Sequence, residues 1–377
     1  MTLIDDVAQR RDALLGSLEQ IVRLESPSTD KAVIDKLVAH LRSECEQLGA
    51  TIESRDQTDW GDLTIASWPG TGSETGQILV MTHIDTVWPV GTIERLPWSV
   101  EGDVARGPGI FDMKASVAMM LEAMRIIQER NTERRPIKWL INTEEEMGSP
   151  ASRPVIEELA RESEYVLCLE PPVPPHGALK TARKGVGMFS MKVTGKASHA
   201  GADPKAGVSA IQELANQIQY LHSLTDYDLG TTVNVGVISG GTRRNVIAAE
   251  AEALIDLRVV TMDEAERTVE AIRGCRASLP GASVTIEGDL NRPPMERTDA
   301  IAAAFQRAHA IGQSIGLDLQ EASTGGASDG NFTAAVGATT IDGLGCTGDG
   351  GHADTEHILV SGLVERTALL TALLSEL

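Results

Sequence analysis

Apolar positions recur at helical spacing from the start of the chain. Ile4, Val7, Leu14, Leu18, Ile21 and Val22 fall on one face, and Val33, Leu37, Val38, Leu41, Cys45 and Leu48 on another that Gly49 terminates. The rhythm then shortens. Apolar runs at 63–68, 77–82, 137–142 and 165–169 read as strands, with a helix over 114–130 between the second and third. Such alternation predicts an α/β architecture, a sheet covered by helices on both faces. Ligands of such sheets gather outside the carboxyl ends of the strands. The polar segments after Thr82, Asn142 and Leu169 fall there.

After Gly185 the order changes. A half-exposed strand at 188–194, a helix at about 205–224, strands at 232–239 and 251–260, a helix at 262–276 and a strand at 283–288 follow in turn. This β-α-β-β-α-β order is the ferredoxin-like pattern and can fold as a unit. The remainder holds a helix at 300–315, a strand near 339–341 between two glycine-rich loops, and a final helix at 358–374, too little to fold alone. The expected organisation is therefore one catalytic domain built from 1–184 and 293–377, with 185–292 inserted as a smaller α+β lid. No internal repeat or low-complexity linker interrupts it.

A length of 377 residues agrees with two domains. With 42% hydrophobic and 23% charged residues the chain has a globular composition. Its net charge of −21 repels nucleic acid and anionic membranes, so neither is an expected partner. The opening residues carry no secretory pattern, and the apolar runs are too short to span a bilayer. Cys45, Cys168, Cys275 and Cys346 form no close pair, so the expectation is a cytoplasmic protein with ordinary buried thiols. The sequon Asn331-Phe332-Thr333 is then a chance match.

The chemistry lies in the loops. His83-Ile84-Asp85 follows one apolar strand, Glu144-Glu145-Glu146 another and Glu170 a third; Asp112 and His352 occupy glycine-rich turns. Alone, an HxD or a run of glutamates is usually a core or solvated feature. Two histidines and at least three carboxylates on converging strand-end loops, without cysteine, suit zinc and less selectively cobalt or manganese.

In order and spacing, THIDTV, GPGIFDMK, TEEEMGS, LEPP, TGKASHAG, RRNVIAAEAEALIDLRV, TGGASDG and GGHADTE resemble the di-zinc exopeptidases. That family includes glutamate carboxypeptidase, acetylornithine deacetylase, succinyl-diaminopimelate desuccinylase and aminoacylase. The likeness spans essentially the whole chain and is greatest to the bacterial glutamate carboxypeptidases. It implies a zinc-exopeptidase-type mixed sheet with an inserted dimerisation lid, and two divalent ions, Zn2+ or alternatively Co2+ or Mn2+. By position Asp112 would bridge them, His83 and Glu170 would complete one site, and Glu146 and His352 the other, with a cis peptide after Asp112. Asp85 would orient His83 and Glu145 would act as general base.

The resemblance also gives His199, otherwise a surface turn histidine, a role across a homodimer, stabilising the oxyanion in the partner's site. Arg258, otherwise an exposed sheet arginine, reads as a fork for a substrate carboxylate, with Asn245 adding a hydrogen bond. Arg183, Lys184 and His222 read as surface residues. The expected activity is hydrolysis of an amide bond next to a free carboxylate in a peptide or N-acyl amino acid, releasing a C-terminal amino acid such as glutamate. Deacetylation or desuccinylation of a biosynthetic intermediate is the alternative, and a non-catalytic metal-binding scaffold the alternative of another class. No glycine-rich stretch has the ending of a phosphate loop or the dinucleotide spacing. Neither Ser198 nor Ser328 sits in a nucleophile signature.

Overall fold

The computed structural model describes residues 2–377, which divide into two compact units. The first comprises residues up to Ala182 together with Arg297–Thr324 and Ser328–Leu377; the second comprises Arg183–Glu296 and Gly325–Ala327.

The first unit is built on a six-stranded mixed sheet in the order Thr51–Arg55, Leu63–Trp68, Ile137–Asn142, Gln77–His83, Ser163–Cys168, Thr340–Ile341. The last four run parallel; Leu63–Trp68 pairs antiparallel with Ile137–Asn142, and Thr51–Arg55 antiparallel with Leu63–Trp68. Side chains alternate across it as the period of two requires. Ile78, Val80, Trp139 and Ile141 pack on one face with Leu18, Leu41, Met120 and Leu370 from helices Arg11–Arg23, Lys31–Gln47, Ala115–Glu129 and Val360–Glu376. Leu79, Met81, Leu140 and Val166 pack on the other with Ile156, Leu159 and Phe332. Both faces are therefore covered, which is why the strands read as continuous apolar runs.

Several boundaries differ from the sequence reading. The first helical stretch breaks at Arg10 into Leu3–Gln9 and Arg11–Arg23. The expected helix from about 205 begins only at Ala210, where Ser209 caps it by accepting from the Gln212 N–H. The strand expected to end at 288 continues to Arg292. The hairpin strands Ser99–Glu101 and Val104–Arg106 lacked a legible apolar run. All four cysteines are free and buried, and Asn331 is fully buried. No helix among the described residues is long and apolar enough to cross a membrane.

The second unit has the order β-α-β-β-α-β: Gly185–Thr194, Ala210–Ser223, Thr232–Gly240, Glu250–Val259, Met262–Arg273, Ser283–Arg292. Its four strands form one antiparallel sheet. Phe189, Met191, Ala253, Ile255 and Leu257 pack against Leu214, Leu221, Val269 and Ile272 of the two helices. The opposite face carries exposed Met188 and Leu254.

Trp139 ties two site-bearing strands of the first unit together, because its indole N–H donates to the Thr82 hydroxyl, 3.0 Å away, one residue before His83. The side chain is fully buried. Trp139→Ala should cost about 3–5 kcal/mol through the cavity it leaves, read as a lower urea midpoint for unfolding of the first unit.

Candidate metal centre

Three adjacent parallel strands end on the same edge of the sheet, each next to a potential ligand. His83 closes Gln77–His83, Glu145 and Glu146 open a single turn just beyond Ile137–Asn142, and Glu170 follows Ser163–Cys168 by two residues. Asp112 comes from the turn Ile110–Lys114 in the connection between the first two strands, ahead of helix Ala115–Glu129. The peptide bond after it is cis. His352 lies in the loop before strand His357–Leu359.

Asp112 joins the set. Its Oδ1 is 3.0 Å from His83 Nε2, a nitrogen that also lies 3.5 Å from Glu170 Oε1. Its Oδ2 is 3.3 Å from His352 Nε2, which is 3.0 Å from Glu146 Oε1. One carboxylate thus serves two triads, His83–Asp112–Glu170 and Asp112–Glu146–His352, and within each triad the ligating atoms lie within 4.8 Å of one another.

The electrostatics follow from crowding. Burial disfavours a charged His83, but hydrogen bonds to Asp112 and Asp85 raise its pKa well above the usual value. Bonds to Asp112 and Glu146 push His352 up to about 10. Burial alone would raise Asp112, yet the two imidazoles hold it far below the usual carboxylate range. A donor set of imidazole nitrogen and carboxylate oxygen that draws positive charge this strongly fits a pair of divalent cations.

Asp85 does more than the sequence suggested. His83 Nδ1 is 3.0 Å from the Asp85 carbonyl oxygen and 3.5 Å from its carboxylate. The fully buried carboxylate also accepts from the backbone N–H groups of Glu145 and Glu146, both at 3.1 Å, and from the Ser28 hydroxyl at 2.8 Å. It therefore anchors the turn that carries Glu145. Glu144 is buried and accepts from the Ala151 and Ser152 N–H groups, while Asp329 accepts from Asn142 Nδ2 at 2.6 Å and from Ser149. These supports were not singled out from sequence, since nothing local distinguishes a buried anchoring acid from a solvated one.

Within the second unit His199 and Asn245 are brought together. Ala200 N–H donates to the Asn245 carbonyl at 3.0 Å, and His199 pairs with Val246 in an isolated antiparallel bridge. His199 is exposed, and its Nδ1 accepts from the N–H groups of Gly201 and Ala202. A neutral imidazole held this way carries its proton on Nε2. Arg258 is not a free fork, because its Nε and Nη2 donate to the two carboxylate oxygens of Asp256 at 2.9 and 3.0 Å and its Nη1 to the Gly325 carbonyl at 3.4 Å. Nor is it near the other two. Arg258 lies eight residues beyond Glu250 along strand Glu250–Val259, about 26 Å at the rise of an extended chain, whereas Asn245 precedes that strand.

Of the residues expected at the surface, His222 is exposed, but Arg183 is buried and donates to the Gly326 carbonyl at 3.2 Å. Lys184 is half-buried, its ammonium donating to the Gly230 carbonyl at 2.6 Å. Arginine and lysine at a strand junction look the same in sequence whether solvated or bonded to a carbonyl.

Residues 79–376 match the model of peptidase family M20/M25/M40, and the chain belongs to that family. It is accordingly a metal-dependent hydrolase of the peptidase class. Carboxypeptidase G2 of Pseudomonas sp. (strain RS-16) is 30% identical over 383 residues, covering 100% of this chain and 92% of that protein. Among solved structures, aminopeptidase PepT of Bacillus cereus superposes with a TM-score of 0.83 at 24% identity, over 97% of this chain and 98% of that one. The YXEP protein of Bacillus subtilis, described as a dinuclear metal-binding peptidase of the M20 family, gives a TM-score of 0.71 at 16% identity over 98% and 99%.

The shared carboxylate predicts an unequal response to ligand removal. Asp112→Ala should lower bound metal at both positions, whereas Glu170→Gln should lower it at one, as measured by metal analysis of dialysed protein.

Proposed function

We propose that this chain hydrolyses an amide bond next to a free carboxylate, releasing a C-terminal amino acid such as glutamate from a peptide or N-acyl amino acid. The observation that carries the reading is the pair of triads sharing Asp112 beside the Glu145 turn. His83, Asp112 and Glu170 would hold one cation, and Asp112, Glu146 and His352 the other, with zinc the ion this donor set suits best. When bound, such ions supply Lewis acidity toward the scissile carbonyl and make water easier to deprotonate.

Glu145 is the general base. It takes a proton from the attacking water and returns it to the leaving nitrogen, which departs as a neutral amine. Asp85 supports this by fixing the backbone of the turn, so that Glu146 and Glu145 diverge from one anchored segment. Glu145→Gln should retain both metals and lose turnover by at least about 100-fold; near wild-type rates would remove Glu145 from the mechanism.

Arg258 binds the substrate carboxylate. With Nε and one Nη2 hydrogen bond committed to Asp256 and Nη1 donating to the Gly325 carbonyl at 3.4 Å, the guanidinium is oriented, and its remaining N–H groups would meet the substrate. His199, donating from Nε2, stabilises the oxyanion, and Asn245 acts beside it. The length of strand Glu250–Val259 supports a homodimer, because a small substrate cannot span from Arg258 to the His199 end of the same chain. The two groups then reach one substrate only from different subunits.

Complementation tests this. Neither His199→Ala nor Arg258→Ala homodimers should turn over well, the second mainly through a raised KM. Co-refolded mixtures should recover about a quarter of wild-type activity, since half the dimers are mixed and one of their two sites is intact. No recovery would place His199 and Arg258 in the same chain's site. A panel of N-acyl amino acids with added zinc distinguishes the substrate class, and preference for N-acetylornithine over acyl-glutamates would favour the deacetylase reading.

A further inference from the structure

Glu356 is buried at 4% exposure in a chain with many solvated acids, and each of its oxygens has two donors. Oε1 accepts from the backbone N–H groups of Phe111 and Asp112 at 2.9 and 3.1 Å. Oε2 accepts from the Gly109 N–H and the Trp88 indole, both at 2.9 Å. A buried carboxylate persists only when it is bonded this fully. The destinations of these bonds are not general scaffold. Three go to the turn that projects Asp112, one of them to the Asp112 amide itself.

The remaining connections complete a pattern. Trp88 lies five residues after His83, and Glu356 lies four after His352 in the same loop, closed by its own N–H to the Ala353 carbonyl at 2.9 Å. One side chain therefore links the segments carrying His83, Asp112 and His352, which contribute to both triads. The turn closes on itself through only part of its amides, Ile110 N–H donating to the Gly107 carbonyl at 3.2 Å and Lys114 N–H to the Gly109 carbonyl at 2.9 Å. Gly109 adopts a left-handed φ of 70°, and its N–H and those of Phe111 and Asp112 converge on an anion supplied from elsewhere in the chain.

We infer that Glu356 is a positioning residue for the two-cation centre, setting where the shared Asp112 carboxylate sits between His83 and His352 through the four hydrogen bonds to its buried carboxylate. The inference rests on the metal reading above. A ligand displaced by a fraction of an ångström weakens binding at both positions, since Asp112 belongs to each triad. Glutamine keeps the volume but presents an NH2 group to backbone donors, so two of the four bonds are lost and replaced by opposed donors.

Co2+ alone is the probe, titrated into metal-free protein and followed by its visible absorption bands. Wild type should take up two equivalents. Folded Glu356→Gln should bind with about 10–100-fold lower affinity and with altered bands that report changed coordination. A purely structural role would lower the unfolding midpoint and leave the binding and bands of the folded protein as in wild type, and that result overturns the inference. Should Glu356→Gln fail to fold, Trp88→Phe removes one donor while leaving the carboxylate. A several-fold weaker Co2+ affinity there supports the role, and an unchanged affinity and spectrum refutes it. Wild type that takes up no Co2+ would instead sink the metal reading itself.

Discussion

Asp112 lies between two imidazoles, one facing each of its oxygens, while Glu146 and Glu170 approach from either side. Carboxylates this close repel one another in a partly buried site, and the arrangement is stable only with positive charge among them. In the protein alone the two histidines supply it as protonated imidazoles. Divalent cations supply more, and because the Asp112 carboxylate belongs to both triads the two positions are coupled through a single side chain. Much of the surrounding architecture serves to keep that carboxylate in place.

The sheet accounts for how such a cluster is assembled. Parallel strands deliver their following residues to one edge, so His83, Glu145, Glu146 and Glu170 arrive together although they are spread over almost ninety positions of the chain. Strand ends set only approximate positions, and hydrogen bonds finish the task. Asp85 takes two backbone N–H groups of the Glu145 turn, and Glu356 takes three of the Asp112 turn. Both are buried acids that hold a loop through its amides. The device positions these turns through their backbone amides rather than through the side chains of Glu145, Glu146 and Asp112.

The second unit follows a different logic. Its antiparallel sheet spaces His199 and Asn245 at one end from Arg258 at the other. A straight, stiff element separates two groups by more than the length of a small substrate. Asp256 holds Arg258 much as Asp85 holds the Glu145 turn, by charge-assisted bonds from a neighbouring element or residue.

Sequence alone was enough to read the helix-and-strand alternation and the inserted β-α-β-β-α-β order, because periodicity is a local property; strand-end chemistry gave the candidate ligands, and the family resemblance singled out the five triad residues among them. The break at Arg10, the late start of the helix at Ala210 and the continuation of the last inserted strand to Arg292 were not legible, since each depends on capping or on pairing with a distant partner. The same holds for the supports. Glu144, Glu356 and Asp329 look like any other acids until the fold buries them against amides and hydroxyls, and Arg183 looks like a surface cation until its guanidinium meets a carbonyl. Residue types and spacing determined which groups could bind cations and cleave an amide. Only the tertiary structure decided that one carboxylate lies between the two histidines, and which buried anions hold it there, because those distances arise from packing between segments that never meet along the chain.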